Sequence, residues 1–212
     1  MAAERLVVHA ENPQRRAISK VADAVANQGV AIVPTDGCYV FICALDSKAA
    51  QERIRLIRGL EPTHQFAILC RDIGQLSGFA KMDNDAFRLV KSLSPGPFTF
   101  LLRATRETPK RLLDPKRKTV GIRIPSDPWS QHFLDHFPDP VICATAIDRG
   151  DEFPLTDGDE QFARFAKRVE YVVDSGSLGI EPTTILDLTT STPTLVRRGK
   201  GEISHLEVVE ND

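Results

Sequence analysis

The sequence predicts an α/β fold, or a closely mixed α+β one, built on a layered sheet. Three observations lead there. Segments with a helical apolar period alternate with short apolar runs along the whole chain. The 212 residues are 42% apolar and 26% charged, the balance of an ordinary soluble globular protein, and a single domain over 1–212 can bury its own core at that length. Proline and glycine clusters sit at the joints between these segments, at 34–37 and 95–97.

Gln14 to Asn27 places Ile18, Val21, Ala22 and Val25 on one helical face, with Gly29 as its stop before the strand-like Val30 to Val33. The turn Pro34-Thr35-Asp36-Gly37 leads into a second strand, Tyr39 to Ala44. Asp46 or Ser47 caps a helix running to Leu60, with Ala50, Ile54 and Ile57 inward. Phe66 to Cys70 reads as a buried strand, and two short helices fit between Ile73 and Leu93. Strands follow at Phe98 to Leu102 and Val120 to Ile124. Trp129, Phe133 and Phe137 recur at helical spacing, as expected of a core face. Val141 to Ala144, a helix around Glu160 to Arg168, and strands at Tyr171 to Asp174, Ile185 to Leu188 and Leu195 to Arg197 complete the pattern. There is no internal repeat or low-complexity block.

The 27 basic and 29 acidic side chains give a net charge of −2, which excludes nucleic-acid binding through overall charge but leaves room for a local basic strip. Cys38, Cys43, Cys70 and Cys143 form no Cys-x-x-Cys pair and read as reduced, buried thiols. Met1 to Asn12 lacks the apolar run of a signal peptide, and no stretch approaches the roughly 20 apolar residues of a membrane span. A cytoplasmic protein without a membrane partner is expected.

The P-loop, the dinucleotide Gly-x-Gly-x-x-Gly and the Gly-x-Ser-x-Gly elbow are all missing, so any nucleotide site must be built differently. His132 and His136 lie four apart without a His-Glu-x-x-His motif and are expected to be ordinary helix-surface residues. His64, after the Pro62-Thr63 turn, is either an anion contact or an exposed loop residue. Lys110-Arg111 and Lys116-Arg117-Lys118 form the densest charge feature, interrupted by Asp114. That strip is either a phosphate-neutralising surface or a solvated loop. Arg123 stands inside the apolar frame Gly121-Ile122-Arg123-Ile124-Pro125, where a guanidinium is expected to point into a polar cleft and grip a carboxylate or phosphate. Thr35, Thr99, Thr119, Thr145 and Thr183-Thr184 accompany strand ends, where ligands gather in open α/β sheets; either they converge on one pocket or they reflect the ordinary frequency of threonine in turns and strands.

Taken in order, Val33-Pro34-Thr35-Asp36-Gly37, Leu93-Ser94-Pro95-Gly96-Pro97-Phe98-Thr99, Thr119 to Pro125, Glu181-Pro182-Thr183-Thr184-Ile185-Leu186-Asp187-Leu188 and Val196-Arg197-Arg198-Gly199 resemble the YrdC/YciO family. The resemblance runs from about Ala17 to Gly199. Arg55 to Leu60, Arg111-Leu112-Leu113 and Lys116 to Thr119 place it nearest the YciO branch. It implies a three-layer fold, with a twisted mixed sheet between helices on both faces and a positively charged concavity associated with nucleotide and double-stranded RNA binding.

The family includes threonylcarbamoyl-AMP synthases, which join L-threonine, bicarbonate and ATP with release of pyrophosphate during tRNA modification. By this resemblance Thr35, Arg123 and Thr183 correspond to threonine-binding positions, and Arg58, Thr119, Thr145 and Arg197 to nucleotide-binding ones. Lys110, Arg111, Lys116, Arg117 and Lys118 are the candidates for RNA, duplex or tRNA. No residue is singled out as catalytic. Magnesium would arrive with ATP, and no tightly bound metal is expected. Two departures stand out. The synthases' Lys-x-Arg is here Arg58-Gly59-Leu60, and their Ser-x-Asn is Thr145-Ala146-Ile147. Leucine and isoleucine donate no hydrogen bond, and each lost contact to transition-state charge, at about 3 kcal/mol, slows a reaction roughly 100-fold. The expectation is therefore a nucleotide- and RNA-binding protein with a synthase-type pocket and weak or altered catalysis. The alternatives are a competent synthase, or an enzyme acting on another small carboxylate or nucleotide substrate.

Overall fold

The computed structural model describes residues 3–210. In chain order, its strands and helices are β1 (Glu4–Val7), α1 (Arg15–Ala26), β2 (Ala31–Val33), β3 (Val40–Ala44), α2 (Lys48–Arg58), β4 (Ala67–Leu69), α3 (Ile73–Phe79), β5 (Ala80–Lys81), α4 (Asn84–Leu93), β6 (Phe98–Ala104), β7 (Thr119–Arg123), α5 (Pro128–His136), β8 (Val141–Thr145), α6 (Gly158–Phe165), β9 (Tyr171–Asp174), β10 (Thr184–Asp187), β11 (Thr194–Arg197) and β12 (Val209–Glu210). A short 3-10 turn covers Lys110–Leu112. The strands form one mixed sheet in the order β1-β9-β2-β3-β8-β4-β7-β6-β10-β11-β12, with β5 hydrogen-bonded to β6 off that path.

Strand periodicity sorts the core into two layers. Along β3, Val40, Ile42 and Ala44 join Ile18, Val21 and Val25 of α1 and Trp129, Phe133 and Leu134 of α5 on one face. Phe41 and Cys43 join Ile54 of α2, Leu76 of α3, Val90 of α4 and Phe165 of α6 on the other. Because side chains alternate with period two, a strand in the middle of the sheet must be apolar on both sides, and all five β3 residues are buried. The aromatic face of α5 is core, with Phe133 stacked between Trp129 and Phe137 at 6.4 and 5.6 Å.

The layers are unequal, and this positions the site. Phe98, Phe100 and Leu102 of β6 and Val120 and Ile122 of β7 all face the α2, α3, α4 and α6 side. Among the described residues, the apolar cluster beneath α1 and α5 takes nothing from β6, β7 or β10. Over those strands the α1 and α5 side of the sheet therefore presents Thr99, Leu101, Thr119, Gly121 and Arg123 to a cavity instead of to a helix.

Helix ends follow local chemistry. Ser47 caps α2 and Asp127 caps α5, each side chain accepting a hydrogen bond from a first-turn amide. The stop of α1 differs from the sequence expectation in detail. The left-handed residue is Gln28, at φ 64°, and Gly29 follows it, its amide bonded to the Ala24 carbonyl at 2.8 Å. A Cβ at Gly29 would lie 2.8 Å from that same oxygen. The helix expected around Glu160 to Arg168 begins earlier, because Asp157 caps it through the amides of Asp159 and Glu160, and it ends at Phe165. The short strands β1, β5 and β12 were not foreseen; they lie outside the long apolar runs and owe their state to pairing with neighbours.

Candidate functional site

A cavity of about 300 Å³ lies on the uncovered half-face of the sheet. Thr99 and Leu101 of β6, Thr119 and Gly121 of β7 and Ala67 of β4 make its floor. Gly121 leaves that floor open: a Cβ there would sit 3.5 Å from both Leu101 and Thr99. Arg58 and His64 stand on one bank and Thr183 and Arg197 belong to the segments around β10 and β11. Thr145 and Cys143 enter from β8, and Asp114 and Arg117 from the loop before β7. Six of the seven residues matched by resemblance to threonine or nucleotide positions therefore line one space: Arg58, Thr119, Arg123, Thr145, Thr183 and Arg197.

The seventh, Thr35, does not line that cavity. Its buried hydroxyl donates to the Cys38 carbonyl at 2.7 Å and closes its own turn. Thr184 likewise turns away and donates to the Gly201 carbonyl. Thr99 and Thr183 do meet, with their hydroxyl oxygens 2.7 Å apart.

Each arginine is held differently. Arg123 ends β7, and its Nη2 lies 3.3 Å from Asp36 Oδ2, with the two side chains only 6% and 3% exposed. The other Asp36 oxygen accepts from the Ser126 amide at 2.7 Å and from the Ser126 hydroxyl. Arg197 donates to the Thr183 carbonyl at 2.8 Å, and burial, with Arg123 nearby, holds its pKa below the ordinary value. Arg58 is the last residue of α2, turned into the cavity where Gly59, at φ 64°, ends the helix. Its Nε is buried without a partner, and burial, then the Arg197 charge, lowers its pKa. Among the described residues, neither Arg58 nor Arg197 has a carboxylate partner.

Glycine lets three loops close on one another at the Arg197 side. A Cβ at Gly37 would fall 2.2 Å from the Glu181 carbonyl oxygen, and one at Gly199 would fall 2.2 Å from that of Pro182. Lys200 ties the same corner by donating to the Asp36 carbonyl. At the start of α5, Asp127 is half-buried with one carboxylate oxygen enclosed and unpartnered, and desolvation, with Asp36 nearby, raises its pKa to about 7. A carboxyl raised in the folded state above its unfolded value stabilises least when ionised, so this contribution falls from about pH 4 to about pH 7 and stays low above. Asp127→Asn keeps a capping oxygen and removes the charge. The variant is expected to be the more stable protein at pH 8 and to lose that advantage at pH 4.5, as read by urea denaturation at both; equal differences at the two pH values would refute this.

The basic strip is thinner than the sequence suggested. Arg111 is turned inward, where its guanidinium donates to Gln51 Oε1 and the Leu45 carbonyl, which removes it from an external RNA surface. Arg117 lines the cavity and is paired with Asp187. Lys110, Lys116 and Lys118 remain exposed. Larger hollows elsewhere, of about 510 and 660 Å³, do not gather such charges: Arg53 and Arg168 in the first are paired with Glu170 and Asp148, and the second holds Asp23, Asp46 and Asp139.

The sequence left His64 between two possibilities, and the structure places its half-buried ring in the cavity wall. Asp36 was missed as the partner of Arg123. Its signal was available, since an arginine inside an apolar strand demands a carboxylate.

The Sua5/YciO/YrdC family model, described as telomere recombination, matches residues 23–199. The chain belongs to this family. Within it, the chain is 42% identical over 196 residues to YciO of Escherichia coli strain K12, covering 92% of this chain and 95% of that protein. The crystal structure of E. coli YciO superposes with a TM-score of 0.90 at 40% identity over 95% of this chain and 98% of that one. A human threonylcarbamoyl-AMP synthase is 26% identical over 176 residues, 81% of this chain and 62% of its own length. P. abyssi Sua5 complexed with L-threonine shares the fold, with a TM-score of 0.85 at 23% identity over 93% of this chain and 58% of Sua5. The expected three-layer fold with a mixed sheet is thus the observed one. At the first of the two departures from the synthase pattern, Leu60 packs against the apolar cluster. No helix among the described residues is long and apolar enough to cross a membrane.

Proposed function

We propose that the cavity binds ATP together with a small hydroxylated carboxylate of the L-threonine type, and that the protein makes threonylcarbamoyl-AMP from these and bicarbonate slowly, if at all. The carrying observation is charge imbalance: Arg58 and Arg197 enter the same space as Arg123 and four threonines, without carboxylates of their own. Arg58 is half-buried with an unpartnered Nε, a costly state, while Arg197 stands exposed with its guanidinium donating to the Thr183 carbonyl; an anionic ligand offsets the cost at Arg58 and meets the charge of both. Relatives that are threonylcarbamoyl-AMP synthases, or whose structure holds L-threonine, support the same ligand classes.

In this reading Arg123 and Thr183 hold the carboxylate, while Arg58, Thr119, Thr145 and Arg197 surround the nucleotide. Thr35 acts by closing the turn that carries Asp36. A carbamate oxygen attacks the α-phosphorus, the bond to the bridging oxygen breaks, and pyrophosphate leaves with that electron pair. The chain's part is orientation and charge stabilisation. Asp114, a cavity carboxylate, accepts from the amides of Lys116 and Arg117, so magnesium would ride on the triphosphate oxygens. Slow catalysis follows from Leu60 and Ile147, which offer no donor where the synthases have an arginine and an asparagine.

The test is titration with ATP, then pyrophosphate release with threonine and bicarbonate added together or singly. Expected are ATP binding, strict dependence on both co-substrates, and turnover at least about 100-fold below a synthase with the full motif. No ATP binding overturns the pocket assignment, and rapid turnover overturns the weak-catalysis part. Binding without turnover directs a thermal-shift screen to other small carboxylates.

RNA contact rests on a separate observation, the exposed Lys110, Lys116 and Lys118 in the segment before β7. Contact would be with phosphates and ribose hydroxyls and would read little sequence. Replacing the three lysines by alanine is expected to weaken tRNA or duplex RNA binding and flatten the slope of log affinity against log salt by about 2 to 3. No binding at low salt by the parent protein, or an unchanged slope, removes RNA from the proposal.

A further inference from the structure

We propose that His64 is the protonatable member of the anion site, taking up a proton when a phosphoryl-type dianion seats against Arg58 and thereby favouring dianions over carboxylates. The proposal rests on the assignment of the cavity as an anion site.

The geometry is local and specific. His64 is held in the wall by its backbone: its amide donates to the Glu61 carbonyl at 2.9 Å, and its carbonyl accepts from Arg55 at 3.3 Å. Its ring meets the edge of Phe66 at 5.6 Å, and the Arg55 guanidinium lies over that same Phe66 ring at 4.8 Å. Neither ring nitrogen of His64 has a hydrogen-bond partner among the described residues, and the ring shares the cavity with Arg58.

The charged groups around this imidazole are Arg55 and Arg58 of α2, Arg117 and Asp114 of the loop before β7, Glu61 of its own loop and, across the cavity, Arg123 of β7 and Arg197 of β11. One Asp114 oxygen accepts from the amides of Lys116 and Arg117, leaving its other oxygen and its charge on the cavity wall, and Arg117 is paired with Asp187. Burial, then the charges of Arg58 and Arg55, lower the His64 pKa, so the empty cavity holds a neutral imidazole at neutral pH. A bound anion reverses the Coulombic part of that balance. Arg58, with Arg197 from the β11 side, meets the first charge of a bound anion, and the free imidazole nitrogen beside Arg58 adds a further cation by protonation when the anion carries a second charge.

The sign follows from linkage. A group whose pKa is higher in the complex than in the free protein makes binding tighten as pH falls through the bound value, and the gain levels off below the free value. A shift of one unit corresponds to tenfold in affinity.

Sulfate is the probe, because it is tetrahedral and stays doubly charged across this range; formate is its singly charged counterpart. Nitrogen-detected NMR of the full chain, with His64 assigned among five histidines by His64→Gln, is expected to show its pKa rising by at least one unit on saturation with sulfate and by less with formate. Sulfate affinity is expected to be several-fold tighter at pH 6 than at pH 8 in the parent, approaching tenfold only below the free His64 pKa, and nearly pH-independent in His64→Gln. Sulfate that binds without moving the His64 pKa, or an unchanged pH slope in the variant, overturns the role of His64 while leaving the anion site standing. Failure of sulfate to bind at either pH overturns the anion site and this proposal together.

Discussion

Replacing Arg123 by alanine is expected to cost about 3 to 5 kcal/mol of folding stability and to abolish binding of the carboxylate ligand. Both members of the Arg123–Asp36 pair are almost wholly withdrawn from water, so deletion of one leaves the other as an uncompensated buried charge. Asp36 keeps two donors from Ser126, which places the outcome toward the lower end. The pair itself contributes far less than this loss, because its attraction mainly offsets its own desolvation. Arg123→Met combined with Asp36→Leu should therefore recover most of the stability while leaving ligand binding lost. Urea denaturation of the two variants beside the parent decides: a single substitution costing under about 1 kcal/mol, or a double variant no better than the single one, contradicts the pairing.

Replacing Arg58 by methionine should act in the opposite sense on the empty protein. Arg58 carries a buried, unpartnered Nε and no carboxylate, so it is a burden until an anion arrives. Methionine retains much of the length and packing of the stem without the charge. The variant is expected to gain about 1 kcal/mol in urea denaturation without ligand and to bind ATP about 10- to 100-fold more weakly by calorimetry. Loss of stability together with unaltered ATP affinity would show that Arg58 is a structural residue. Set beside Arg123, the contrast separates two uses of the same side chain: one guanidinium has its counter-charge inside the fold, and the other has been left without one.

Much of this was legible in the chain. The period-two alternation of Val40 to Ala44 and the helical spacing of Ile18, Val21 and Val25 specify faces that can be buried only in a layered sheet, and the structure buries them so. Convergence of Thr99, Thr119, Thr145 and Thr183 followed from strand ends sharing a neighbourhood, although Thr35 and Thr184 of the same set turned elsewhere, and the placing of Arg58 and Arg197 beside them came from the family resemblance alone. What the chain hid depends on contacts between residues far apart in sequence. Nothing near Arg111 announces that it reaches Gln51 and Leu45, 60 and 66 residues away. Asp36 and Arg123 are separated by 87 positions, and a charge run gives no sign of which members are already neutralised. Thr35 stands outside the cavity lining for a local reason, since its hydroxyl donates to a carbonyl three residues on.

The glycines at 37 and 199 carry a lesson about how such a protein can change. Their loops abut the 181–183 segment main chain to main chain, so an insertion in any of the three would dislodge the other two. New chemistry is therefore easiest to acquire across the gap, by exchanging the side chains at positions 58 and 64, which line the cavity without being wedged between main chains. Divergence along this lineage should read as point changes on one shore above an inherited foundation.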